Sequence, residues 1–308
     1  MYKIVQISFN PETLEQLGTK EKFWFKFKSS TESSRWLFKY SRDNTGEHWS
    51  EKIAEQLCVA LEIPHVGYEI AKSHDRLGII TENVVAANSR MIMGNEVLHQ
   101  RNPISYPRPF NDNSDEELVR VKEHTIAEVL NCLDSEGILP PESALDLNEL
   151  NAGDIFCGYL MLDTLISNQD RHHENWAVII NDESGHRFLC PTYDHAASLG
   201  RELLDPTRED RLKPLRDNRS VNAFVKRARS ELFEKSTDNK ALFTIDAYYL
   251  SVKDRPAAHN HWINKLENLN EDIIRNIVNK VPNELMTHPA KEFAIQMILE
   301  NKKRLLER

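Results

Sequence analysis

Between Leu165 and Ile180 the chain reads LISNQDRHHENWAVII, an apolar run that breaks into NQDRHHEN and returns to β-branched residues. A segment this polar between two pieces of core is either a solvated turn or a place where chemistry happens. Two short apolar runs follow, WAVII (Trp176 to Ile180) and RFLCPTY (Arg187 to Tyr193), separated by the turn-forming NDESGH with Gly185 near its end. That pattern predicts a β-hairpin. An antiparallel hairpin brings its open ends together, so Asn175 before the first strand and Asp194 after the second become neighbours. Asp170 lies in the same loop, upstream of Asn175. Phosphoryl transfer uses such a set: one carboxylate takes or orients the proton of the attacking hydroxyl, while an amide oxygen and a second carboxylate hold Mg²⁺ against the phosphates of ATP. A D-x-x-x-x-N spacing alone is common. The buried stretch in front and the hairpin between give it weight, because protein-kinase catalytic loops have this spacing and context.

Such a site needs a cation for the nucleotide phosphates, and WLFKY (Trp36 to Tyr40) places Lys39 inside an apolar strand. The other reading of that lysine is an edge-strand charge that discourages aggregation. The helix that follows, HWSEKIAEQLCVAL, has Trp49, Ile53, Leu57 and Ala60 or Leu61 on one face, with Glu51 and Glu55 on another. Either glutamate could pair with Lys39, and periodicity does not choose. His172 reads as a loop organiser, its ring bonded to backbone or to a carboxylate.

The elements that must position these groups fall into two parts. In FWFKFK, Phe23, Phe25 and Phe27 alternate with Trp24, Lys26 and Lys28, as in a strand, and HVGYEIAKSHDRLGIITEN predicts a hairpin around Ser73 to Arg76. Residues 1–83 therefore form a small sheet carrying one helix, an N-lobe over the nucleotide. Residues 84–308 read as a larger helical C-lobe holding the loop and the metal-binding hairpin. Within it ELVRVKEHTIAEVLNCL (Glu117 to Leu133) is expected as a helix. GDIFCGYLMLDTLI (Gly153 to Ile166) is apolar almost all round, as a buried helix would be. From Asp246 to Arg308 the pattern is helical and amphipathic.

The net charge of −9 speaks against a general nucleic-acid binder. No apolar run approaches the ~20 residues of a membrane span, and MYKIVQISFN does not read as a secretory signal. The four cysteines are scattered, with no C-x-x-C pair, which fits free thiols in a reducing compartment, so the cytoplasm is the expectation. No H-E-x-x-H, G-x-S-x-G, Walker A or G-x-G-x-x-G is present, and His172-x-Glu174 lacks the P-C-x-x-C of a zinc deaminase.

NQDRHHEN (Asn168 to Asn175) and PTYDHAASLG (Pro191 to Gly200) resemble the catalytic loop and metal segment of the HipA-like serine/threonine kinases, the bacterial toxin kinases of the HipA type. The stretch WLFKYSRDNTGEHWSEKIAEQLCVALEIPHV resembles the strand, lysine and acidic helix of that family, and the likeness runs from about Lys20 to about Arg229. It implies an α+β, two-lobed protein-kinase-like fold, with a small, mainly β N-lobe carrying one helix and a larger, mainly α C-lobe. It implies ATP and Mg²⁺ as cofactors, Asp170 as catalytic base, Asn175 and Asp194 as metal ligands, Lys39 on the ATP phosphates and Glu51, better than Glu55, as its partner. It further implies Ser/Thr phosphorylation of a protein such as an aminoacyl-tRNA synthetase, and a DNA-binding antitoxin partner of HipB type. Autophosphorylation would fall in the loop SSTESS (Ser29 to Ser34), with Ser29, Ser30, Ser33 and Ser34 as candidates. The loop has no glycine and the metal segment reads Asp194-His195-Ala196 where ordinary protein kinases have D-F-G. The chain is also shorter than HipA proteins. Phosphatidylinositol kinases share a D-R-H-x-x-N loop, but a basic membrane-facing cluster is missing. A small-molecule kinase, or a pseudokinase-like binding module, is the remaining alternative.

Overall fold

The computed structural model describes residues 1–7, 13–15, 21–27, 35–108, 120–144 and 149–308. The loop Ser29 to Ser34, with its four candidate serines, lies outside the described residues. The N-terminal part is built from β1 (Val5–Ile7), β2 (Thr13–Glu15), β3 (Lys22–Phe25), β4 (Trp36–Tyr40), α1 (Glu47–Leu61), β5 (Glu69–Ser73) and β6 (Arg76–Glu82). The strands form one six-stranded sheet in the order β1-β5-β6-β4-β3-β2, antiparallel except for the β1–β5 pair. The turn between β5 and β6 places His74 and Asp75 at φ 46° and 67°, the two left-handed positions that a tight hairpin requires. On one face Phe23, Phe25 and Phe38 pack with Ile7, Ala71 and Ile80 into a small core, Phe23 stacked on Phe38 at 5.2 Å. β4 is an interior strand, between β6 and β3. The edge-strand explanation of Lys39 therefore fails, and the lysine needs another reason.

Helix α1 shows the expected stripe of Trp49, Ile53, Leu57 and Leu61, all buried, while Ala60 is exposed. Its other faces are buried too, including Glu47, Glu51, Lys52 and Glu55. The reason is that α1 packs under the sheet on one side and joins the main helical core on the other.

The second part holds β7 (Ser89–Met93), α2 (Gly94–Arg101), α3 (Ile126–Ser135), β8 (Ile138–Leu139), α4 (Ala152–Ile166), β9 (Ala177–Asn181), β10 (Arg187–Leu189), α5 (Asp205–Leu212), α6 (Val221–Val225), α7 (Thr244–Val252), α8 (Pro256–Asn268), α9 (Glu271–Asn279) and α10 (His288–Leu306). The architecture is a two-lobed α+β fold with a sheet-rich first part and a helix-rich second. Helix α4 is its axis. It opens with a capping box between Asn151 and Asp154, and every residue from Ile155 to Ile166 is buried, packed by α3, α7, α8 and α10. Two expectations need correction. The second part also contains a four-stranded sheet, β7-β9-β10-β8, in which the expected hairpin β9–β10 is flanked by β7, whose burial does not alternate, and by the two-residue β8. The helix expected from Glu117 begins only at Ile126, because Thr125 caps it by accepting the Glu128 N–H at 3.2 Å. In the residues before it, Val121 and His124 are buried in a non-helical turn.

Candidate active site

The end of α4 sets the geometry. Ser167 takes a left-handed conformation (φ 53°) and turns the chain out of the helix, so residues 168–176 lie across the mouth of the β9–β10 hairpin. One buried ion pair holds this loop. Arg171, with no exposed side-chain surface, reaches the two oxygens of Asp163 on α4 at 2.8 and 2.9 Å. The same guanidinium donates to the Asn175 carbonyl at 2.5 Å and to Thr192 Oγ1 at 3.0 Å. It thus ties the helix, the loop and the second hairpin strand together. Asn168 adds a bond to Asp163 at 2.8 Å. On the outer side, α2 presses against the loop: Gly94 and Asn95 donate their N–H groups to the carbonyls of Trp176 and His173, both at 2.9 Å. A side chain at Gly94 would sit 2.2 Å from the Trp176 ring and 2.6 Å from the His173 carbonyl oxygen, so only glycine permits this approach.

Asp170, Asn175 and Asp194 all line one cleft of about 1270 Å³ between the two parts, together with Lys39 and His172. Asn175 donates its amide nitrogen to the Asp170 carbonyl at 2.5 Å, which directs its amide oxygen elsewhere. Asp194 sits at φ 58°, a conformation that costs energy for a non-glycine residue and is met most often at functional sites. Its backbone N–H is held by the Tyr68 hydroxyl at 3.2 Å. Its carboxylate stands 3.5 Å from the Lys39 ammonium. Burial pulls the Lys39 pKa down, but Asp194, Glu51 and Glu47 outweigh it, so the ammonium is held more firmly than usual.

The Lys39 partner is therefore Asp194 in this structure. Glu51 accepts the His195 N–H at 2.8 Å and lines a small hollow with Lys39, whereas Glu55 is engaged by Lys52 at 3.0 Å and lies 3.9 Å from His65. Of the two glutamates it is Glu51 that lies beside Lys39 and the segment carrying Asp194. His172 accepts the Glu174 N–H through Nδ1 at 3.2 Å, and burial lowers its pKa to about 4, so it is neutral at pH 7. At the open edge Arg120 approaches Asp170 at 3.7 Å and Glu231 at 3.3 Å. Burial, offset by Arg120 and reinforced by Asp170, raises the Glu231 pKa.

No protein-family model matches this sequence, and no curated protein matches it either. Among solved structures, the Helicobacter pylori proinflammatory kinase CtkA superimposes with a TM-score of 0.74 over 99% of this chain and 96% of its own, at 16% identity. This chain has its fold. A chain of the Shewanella oneidensis HipA–HipB toxin–antitoxin complex with operator DNA superimposes with a TM-score of 0.56 at 11% identity. That match covers 97% of the present chain but 66% of the other. The two-lobed kinase-like architecture expected from the HipA-like resemblance is thus found at the level of fold.

Sequence reasoning missed Asp163, Arg171 and Thr192, which position the loop from behind, and Tyr68, which lines the cleft and holds the Asp194 N–H. A signal existed for the first pair: Asp163 is a lone acid inside a helix that is otherwise apolar from Ile155 to Ile166 apart from Thr164, and a buried acid needs a cation. Tyr68 and Thr192 carried no such mark.

Proposed function

We propose that this protein is an ATP- and Mg²⁺-dependent kinase that phosphorylates a serine or threonine of another protein. The observation that carries the reading is that Lys39, Asp170, Asn175 and Asp194, chosen by spacing, line a single cleft on a kinase-like fold. The residues fit the cofactors. Among the described residues no three His, Cys, Asp or Glu side chains converge into a cage. Mg²⁺ held against nucleotide phosphates does not need one, since one or two carboxylates suffice and phosphate and water supply the rest. Asp194 and the Asn175 amide oxygen form such a set. Lys22 lies directly opposite Lys39 across β3 and β4, and both line the cleft. Like charges in that position disfavour the sheet, and the phosphates of a nucleotide would offset the repulsion. When bound, Mg²⁺ would draw charge from those phosphates. Lys39 would orient them, and Asp170 would accept the proton of the incoming hydroxyl. Leu37, Val66, Met91 and Met93 give the cleft an apolar wall suited to a purine ring.

Within this reading the partner is a protein substrate, an aminoacyl-tRNA synthetase being the family's example. A HipB-type antitoxin is a second proposed partner, and the serines of the 29–34 loop are proposed autophosphorylation sites. Among the described residues no helix is long and apolar enough to cross a membrane. Incubation with labelled ATP, Mg²⁺ and a bacterial lysate tests the reading. Label on protein serine or threonine, lost in Asp170→Asn, is expected. Label in the lipid fraction, or label unchanged in Asp170→Asn, would overturn it.

A further inference from the structure

Residues 201–229 contain nine Lys or Arg against five Asp or Glu, in a chain whose net charge is −9. The cleft that contains Asp170 runs on into this basic stretch, where its wall is made by Leu203, Arg211, Phe224, Arg227 and Met297. The apolar members belong to a small separate core in which Val221, Val225, Phe293 and Met297 are buried and Leu203 and Phe224 are only half-covered. The arginines along the cleft differ in how they are used. Arg201 pairs with Glu47 and Glu202, Arg229 donates to the Ala241 carbonyl, and Arg120 meets Asp170 and Glu231. Arg211 and Arg227 form no ion pair among the described residues. Arg211 lies with its guanidinium carbon 4.8 Å from the centre of the Phe224 ring, and its Nε is buried without a hydrogen-bond partner. Burial and the neighbouring Arg227 also pull its pKa below the ordinary value, against the weaker opposing pull of Asp210.

We infer that Leu203, Phe224 and Met297, flanked by Arg211 and Arg227, form the seat for a segment of the substrate protein that carries an apolar side chain and acidic side chains next to the acceptor hydroxyl. The inference rests on the kinase reading for the hydroxyl but not for the seat. The half-covered apolar floor takes the hydrophobic residue, and the two arginines meet carboxylates, so an acidic peptide matches the site in both shape and charge. A basic or uncharged segment would leave the arginine pair unopposed.

The test uses two arms on the full chain. In the first, a labelled short peptide with a central serine, one leucine and flanking Asp and Glu is titrated by fluorescence anisotropy against Asp170→Asn protein, beside a matched peptide with Lys flanks. The acidic peptide should bind about tenfold more tightly, the scale of two rim charge pairs. Adding Arg211→Gln and Arg227→Gln should remove that preference, and Arg211→Glu with Arg227→Glu should reverse it. Lys213→Gln with Arg216→Gln, which removes the same charge from the exposed end of the stretch, should keep it. If the paired Arg211 variants do not fold, the exposed Arg227→Glu alone must weaken the acidic preference. Equal binding of the two peptides, a preference that survives the paired variant, or tighter binding of a single-stranded RNA than of the acidic peptide would overturn the proposal. The second arm measures phosphate transfer from ATP to the same peptides by the wild-type chain. No transfer to either peptide and no label on lysate protein, with an intact arginine-dependent preference in binding, would refute the kinase reading and leave the seat standing.

Discussion

Behind the loop and in front of it, the protein treats charge in opposite ways. Behind, Arg171 has no exposed side-chain surface and meets Asp163 at 2.8 and 2.9 Å, with its remaining donors on Asn175 and Thr192. In front, Lys39 and Asp194 stand 3.5 Å apart, with side chains 14% and 28% exposed, and Asp170, 38% exposed, meets Arg120 at 3.7 Å. A buried ion pair is tolerable only when its geometry is tight and every donor is used. A group that must meet a ligand cannot be satisfied that fully by the protein. The tight pair is architecture, and the loose one is the working surface.

Removing architecture should do the most damage. Arg171→Ala leaves the Asp163 carboxylate buried beneath the loop without its cation and should cost about 3–5 kcal/mol of stability. Chemical denaturation would read this directly, and a loss below about 1 kcal/mol would show that the pair is not the anchor described. Asp170→Asn touches the working surface instead. It should lower phosphate transfer by roughly 10²–10⁴ while leaving the denaturation midpoint near that of the wild type. A drop in stability comparable to that of Arg171→Ala would erase the distinction between the two regions.

The front can be dissected further by nucleotide binding. Asp194→Ala should weaken Mg²⁺-dependent ATP affinity by more than tenfold, about 1.4 kcal/mol or above. Asn175→Ala should act in the same direction but less, because an amide brings no charge to the cation. Calorimetric titration with and without Mg²⁺ checks both, and an Asp194→Ala affinity equal to the wild type would remove the residue from the metal site.

A last test concerns pH. Burial lowers the pKa values of His48 and His172 to about 4 and puts that of His124 well below its ordinary value. The unfolded chain protonates these rings near 6.5, so below that pH it binds more protons than the folded chain does. Stability contributed by neutral burial is therefore complete above about pH 6.5 and falls as pH drops toward 4, by at most about 1.4 kcal/mol per pH unit for each ring. Thermal midpoints measured at pH 7, 6 and 5 should descend. A flat profile would mean that these three rings are hydrated.

Much of the working surface was legible because it is local. Asp170, Asn175 and Asp194 lie within one loop-and-hairpin unit, and Gly185 at φ 71° turns that hairpin where its sequence says it should. Alternation gave β3 and β4, and the apolar run gave α4. The scaffold was less legible for a physical reason. The two residues of β8 have no period to read, the burial of β7 does not alternate, and the N-cap at Thr125 competes with a helical pattern that begins upstream of it.

The sequence by itself determined which groups could do chemistry and, through short-range geometry, that three of them share a loop mouth. It also placed a lysine in a strand and two acids on the following helix. Only the tertiary structure decided that the strand is interior, that Glu51 lies beside Lys39 and holds the His195 N–H while Glu55 is spent on Lys52, and that Lys39 meets Asp194. Those outcomes depend on how α1 is wedged between the sheet and the helical core. Packing between distant segments fixes that arrangement, and no periodicity within one segment can express it.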